Sequence, residues 1–178
     1  MTADDVLRFW FEDTAPQQWW RRDPAFDQAI RTRFGELHAA ACRVELGSWR
    51  VTAAGRLAEI IVLDQFSRNL YRDDARAFAS DPLALALAQE AIRIGADLEI
   101  APERRAFVYM PCMHSESRLI HAAAVGLFRE RAPGNLDFEL RHKAIIDRFG
   151  RYPHRNAALG RASTPEEIAF LSQPGSSF

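Results

Sequence analysis

Three short stretches of this chain carry side chains that could do chemistry. LDQFSRN at residues 63–69 and RYPHRN at 151–156 set arginines and asparagines beside aromatic residues, and MHSES at 113–117 puts a histidine two residues before a glutamate. A guanidinium grips a carboxylate or a phosphate with two parallel hydrogen bonds. A carboxylate near a histidine suits proton transfer. The leading expectation is that the three stretches converge on one polar site for a small anionic ligand or an acidic peptide end. Arg68, Arg151 and Arg155 would contact the anion, Gln65 would line the pocket, and Asn69 and Asn156 would act as caps or donors. Asp64 and Glu116 would orient the arginines, and His114 and His154 would hydrogen-bond the ligand. The alternative is a hydrolase in the same pocket. There Asp64 or Glu116 would be the general base, His114 or His154 the acid, and the arginines would stabilise developing negative charge.

Each of these residues also has a purely structural reading. Asp64 follows Leu57, Ile60 and Ile61 at helical spacing, so it falls on an apolar stripe, and Arg68 is one turn further on. A buried carboxylate needs a cation or several donors, and an internal Asp64–Arg68 tie would supply them. Ser115 and Glu116 could satisfy free backbone donors where a helix begins. Arg148, Arg151, His154 and Arg155 could meet internal acids in a polar network. His38, His121 and His142 lie among apolar helical neighbours and read first as core residues. Metal ligation by His114 and Glu116 has little support, because no second ligand pair accompanies them. No metal and no cofactor is expected. Phosphate-binding glycine loops, nucleophile elbows and dinucleotide fingerprints are all missing from the sequence.

The whole chain sets bounds on these readings. Its 178 residues suffice for a single domain, 1–178, with a full core. A net charge of −1 argues against a broad nucleic-acid surface, though not against a local basic pocket. Lys143 is the only lysine, so nearly all positive charge is arginine. Cys42 and Cys112 make no metal or redox spacing. The start, MTADDVLRFWF, lacks the pattern of a signal peptide, and no apolar run reaches the ~18 residues of a membrane span. A cytoplasmic location and no membrane partner are expected.

Helical periodicity dominates and strand alternation is nearly absent. Helices are expected at about 4–12, from Pro24 to Leu46 with Gly47 as stop, and from a Thr52 cap through RLAEIIVLDQF. Further helices should start at an Asp81 cap before Pro82, at Pro102, near Ser115, at Asn135, and at the capping box Thr164–Glu167. Pro111 should break the helix that starts at Pro102, because proline removes a donor and clashes within a helix. Residues 67–80 and 150–163 should be irregular, and the tail QPGSSF frayed. Phe9, Trp10, Phe11, Trp19, Trp20 and Trp49 should form a local core. The sum is about eight helices and no sheet.

The blocks VLRFWF, WW, LDQFSRN with Tyr71, FASD, ERRAFVYMPCMHSE, RFGRYPHRN and LGRASTPEEIAFL, in that order, resemble the bacterial proteins grouped as domain of unknown function 924. The resemblance spans almost the whole chain. It implies an all-α fold whose helices form a tetratricopeptide-like, right-handed superhelical array; a protein-interaction module of that kind is a third functional reading. It implies no activity. Two positions depart from the family pattern: Ser67 stands where proline is usual, and His121 near a position where glutamine is frequent.

Overall fold

A computed structural model describes residues 1–176. Among them are nine α-helical segments and no strand: α1 (Ala3–Arg8), α2 (Pro24–Cys42), α3 (Ala53–Ile61), α4 (Ser67–Leu70), α5 (Asp81–Arg93), α6 (Pro102–Met113), α7 (Arg118–Arg131), α8 (Leu136–Phe149) and α9 (Pro165–Leu171). A π turn, Val62–Phe66, joins α3 to α4 without interruption, so these two are one rod and the helices number eight, as expected.

Local chemistry explains most of the boundaries. Asp23 accepts from the amides of Ala25 and Phe26 ahead of Pro24, and Thr52 accepts from Gly55. Thr164 and Glu167 form the expected reciprocal capping box. Helix α2 ends four residues before the expected Leu46. Val44 there adopts a left-handed backbone, φ 63°, and its amide and that of Glu45 close back onto Ala41 and Ala40. That closure usually employs glycine. Pro111 does not break α6, which runs on to Met113. So close to the helix end proline withdraws a single donor, and the last turn is closed by the His114 amide donating to Met110 O at 2.9 Å. The following helix starts at Arg118 with Ser117 as its cap, so Glu116 lies outside it. Ser80, not Asp81, occupies the capping position of α5. Residues 173–176 form a turn in which Ser176 Oγ donates to Leu171 O, and Ser177 and Phe178 of the expected frayed tail lie outside the described residues.

The α3–α4 rod is the centre of the fold. Leu57, Ile60, Ile61, Leu63 and Phe66 are all buried, as a helix apolar on nearly every side requires. It packs against α1, α2, α5 and α6. Gly55 is needed at its start, because a Cβ there would lie 2.0 Å from Trp49 O. Phe9 and Trp10 belong to this core, whereas Trp20 is largely exposed and lies with its ring parallel to that of Phe107. A smaller cluster, Ile145, Ile146 and Tyr152 with Phe149 and Phe170, anchors the C-terminal segment.

Candidate functional site

The sequence pattern does not announce the π turn in the central rod. An added residue in a helical turn rotates the downstream residues by about 100°, and such turns recur at functional sites. Asp64 and Gln65 lie within it, both buried. Gln65 Nε2 donates to Asp64 Oδ2 at 2.6 Å, and the His114 ring donates through Nδ1 to Asp64 Oδ1 at 2.7 Å. Arg68 donates to the Asp64 carbonyl at 2.5 Å and places Nη1 3.4 Å from its carboxylate. Its main partner is Asp81, gripped through both terminal nitrogens at 3.0 and 3.1 Å. Arg155 reaches the same carboxylate, donating to Asp81 Oδ2 at 3.1 Å and to His114 O at 3.0 Å. Its guanidinium lies 4.6 Å from each of the Phe78 and Tyr152 ring centres, and its buried Nε has no hydrogen-bond partner. Residues from all three sequence stretches therefore meet, joined by Asp81.

The electrostatics follow from that geometry. Burial alone would push the Asp64 carboxyl up, but His114 and Arg68 outweigh it and hold the group below the ordinary carboxylate range. Burial, reinforced by Arg68, depresses His114, so its ring is neutral at pH 7. With Nδ1 committed to Asp64, its Nε2 makes no hydrogen bond among the described residues, and the side chain keeps 16% of its exposure. Burial and then Arg155 bring His154 down to about 4, and burial brings His142 to about 3. Burial and the adjacent Arg68 lower even Arg155, with Asp81 offsetting only part of the effect. Arg68, by contrast, is raised, because its own burial is outweighed by Asp64 and Asp81, and the two guanidiniums and two carboxylates of the cluster balance in charge.

A second network holds the RYPHRN segment in place. Gly150 ends α8 in a left-handed conformation, φ 70°. Glu116 accepts from the Tyr152 amide at 2.7 Å and from Arg161 through two bonds at 2.6 and 2.9 Å. Burial would raise the Glu116 carboxyl, but Arg161 and that amide pull it down, so it is a poor base, as is Asp64. Tyr152 donates its hydroxyl to Met113 O at 2.5 Å and sits 3.2 Å from His121 Nε2. His121 in turn binds Glu139 at 2.7 Å.

Not every expected residue faces the central cluster. Asn69 turns to the opposite side of the rod and donates to Asp27 at 2.8 Å. Arg151 pairs with Glu167 at 2.6 and 2.7 Å, and Asn156 donates to Ser163 and accepts from Arg161. Those two arrange the C-terminal segment. Asp81, Phe78, Tyr152 and Arg161 enter the assembly in roles that sequence reading did not give them. The proline after Asp81 marks a helix start, and nothing local in the sequence marks the Asp81 carboxylate as a partner for two distant arginines. Among the described residues, no three of His, Cys, Asp and Glu are grouped so as to hold a metal ion, and no helix is long and apolar enough to cross a membrane.

The family model described as "Bacterial protein of unknown function (DUF924)" matches residues 6–175. A solved structure of a protein of unknown function from Agrobacterium tumefaciens is 39% identical, with 96% of each chain covered and a TM-score of 0.90. No curated protein matches.

Proposed function

We propose that this chain, which belongs to the bacterial DUF924 family, binds a small anionic ligand or an acidic peptide end at the cluster of Arg68, Arg155 and His114. The carrying observation is Arg155. It is buried, it shares one carboxylate with Arg68, and its Nε is unpartnered. Arg68 also faces Asp64 at 3.4 Å, so the two guanidiniums and two carboxylates balance; what remains for a phosphate or carboxylate is the donor at Arg155 Nε, and a charge-assisted contact there is strong. His114 Nε2, an acceptor in this tautomer, is the adjacent group for a ligand that brings its own donor, such as a hydroxyl or a protonated phosphate oxygen. In this reading Asn69, Arg151 and Asn156 support the fold around the site.

The wider frame of the site is a tetratricopeptide-like superhelical array. The successive packing of α5, α6, α7 and α8 supports it. A cytoplasmic setting suits the two free thiols, Cys42 and Cys112.

A second reading, hydrolysis at the same place, rests on the Asp64–His114 pair. A neutral imidazole held by a carboxylate through Nδ1, with Nε2 outward, is arranged as a general base, while Asp64 and Glu116 are too acidic for that task.

The test is thermal-shift titration of wild type and Arg155→Met with inorganic phosphate, small phosphate monoesters and dicarboxylates. A bound ligand raises Tm with the logarithm of its concentration above Kd. Stabilisation of wild type beyond that of a folded Arg155→Met supports the proposal. An equal response from a folded Arg155→Met, or no response from either, refutes it. Turnover of a stabilising ester, lost in His114→Asn with binding retained, would select the hydrolytic reading.

A further inference from the structure

On the far side of the central rod, away from His114, a cleft of about 440 Å³ opens between the start of α2 and the loop that follows α4. Asn69 lines it, together with Arg22, Arg31, Tyr71, Arg72 and Arg76. Its volume falls in the range of small-ligand sites. Three of the four arginines have aspartate partners. Arg22 pairs with Asp73, Arg72 holds Asp27 through Nε and Nη2 at 2.5 and 2.9 Å, and Arg76 holds Asp74 at 2.9 and 3.0 Å. Arg31 differs. It donates only to the Leu70 carbonyl, at 2.7 Å, and has no carboxylate partner among the described residues.

We propose that this cleft is a second anion site, centred on Arg31, for a singly charged oxyanion that also carries a hydrogen-bond donor. The charge follows from the pairing: four guanidiniums against three carboxylates leave one positive charge, and it resides on Arg31. Nη2 of Arg31 spends one of its two hydrogens on Leu70 O, so its other hydrogen and the N–H beside it, on Nε or Nη1, remain for the two parallel bonds that a carboxylate or phosphate accepts. The donor requirement comes from Asn69. Its Nδ2 is committed to the buried Asp27, which leaves Oδ1 as an acceptor at the cleft. Asp27, fixed by Asn69 and Arg72 together, makes the floor rigid. Dihydrogen phosphate, a phosphate monoester monoanion or a hydroxy acid satisfies both requirements, and an anion without a donor satisfies one. The site is separate from the Arg155 cluster and does not depend on it.

The experiment titrates inorganic phosphate at pH 6.5 and constant ionic strength into the 15N-labelled full chain. It follows the arginine Nε–Hε resonances, with Arg31 and Arg155 assigned from Arg31→Gln and Arg155→Met. The Arg31 resonance should shift saturably, in wild type and in Arg155→Met alike. A loss of at least about tenfold in affinity, read on Arg72, is expected when Arg31 becomes Gln, since a charge-assisted forked contact disappears. Arg33→Gln, which neutralises an arginine on α2 that does not line the cleft, should leave the titration unchanged. Arg31 is exposed and bonds only a carbonyl, so Arg31→Gln is expected to keep the fold, checked by circular dichroism. A linear, unsaturated shift of Arg31 in wild type overturns the proposal by itself. So does a saturable shift that vanishes in Arg155→Met, or one that persists at full affinity in Arg31→Gln.

Discussion

Acid should unfold this protein early, through its histidines. His154 is held at about 4 and His142 at about 3, chiefly by burial, whereas in an unfolded chain both titrate near 6.5. Below pH 6.5 the unfolded state therefore binds more protons than the folded one, and stability falls as pH falls. Each group contributes fully above pH 6.5, and its contribution is lost progressively down to the folded value. Between pH 7 and 5 the loss is about 2 kcal/mol for each histidine, or about 4 kcal/mol for the pair. That is a large share of an ordinary domain's total of about 5–15 kcal/mol. His38 and His114, also lowered by burial, add to it in the same direction. Urea unfolding at pH 7, 6 and 5 measures the effect directly. With a slope of about 2 kcal/mol per molar urea, the midpoint should drop by about 2 M. His142→Gln and His154→Gln should each flatten the profile by about half of the pair's share. A wild-type stability that changes by less than about 1 kcal/mol from pH 7 to 5 would refute the reasoning, as would a double variant with the wild-type slope. An anion bound at Arg68 and Arg155 should also flatten the profile near His154, because those guanidiniums help to keep that ring neutral.

Other substitutions probe single links of the assembly. Asp64→Asn should destabilise by about 3–5 kcal/mol in urea unfolding, because it leaves the largely buried Arg68 short of a charge partner. Since Asp64 is held below the usual carboxylate range, its contribution is complete above about pH 4 and is lost as pH falls further; the variant should lack that acid limb. Glu116→Gln should cost about 1–2 kcal/mol, because Arg161 loses its forked contact at the edge of the site. Tyr152→Phe should cost about 1 kcal/mol in thermal or urea unfolding, by leaving Met113 O and His121 without the hydroxyl.

How much of this was legible in the sequence depends on the range over which each cause acts. Helix caps act within four residues, so Thr52, Asp23 and the Thr164–Glu167 box could be read directly. Apolar spacing acts within a few turns. It made LAEIIVLDQF the central rod and placed Asp64 on its buried stripe. The all-helical class and the convergence of the LDQFSRN, MHSE and RYPHRN stretches were accessible in the same way, as unpaired polar groups on apolar faces that must find one another. What the sequence left open were choices among partners distant in the chain. Asp64 and His114 lie 50 positions apart, and Asp81 and Arg155 lie 74 apart. Each arginine had several aspartates and glutamates within reach of some folded arrangement. Only packing decided that Arg151 turns to Glu167, Asn69 to Asp27, and both Arg68 and Arg155 to Asp81. The π turn belongs to the same class. Nothing in VLDQF distinguishes it locally from an ordinary helical turn, because it depends on what the rod meets from α2 and α5. The sequence determined which polar residues had to be buried. The tertiary structure decided which charged groups neutralise one another, which donor stays unpartnered at Arg155 and where a charge is left over at the exposed Arg31, because a sequence records charges and only a fold sets the distances between them.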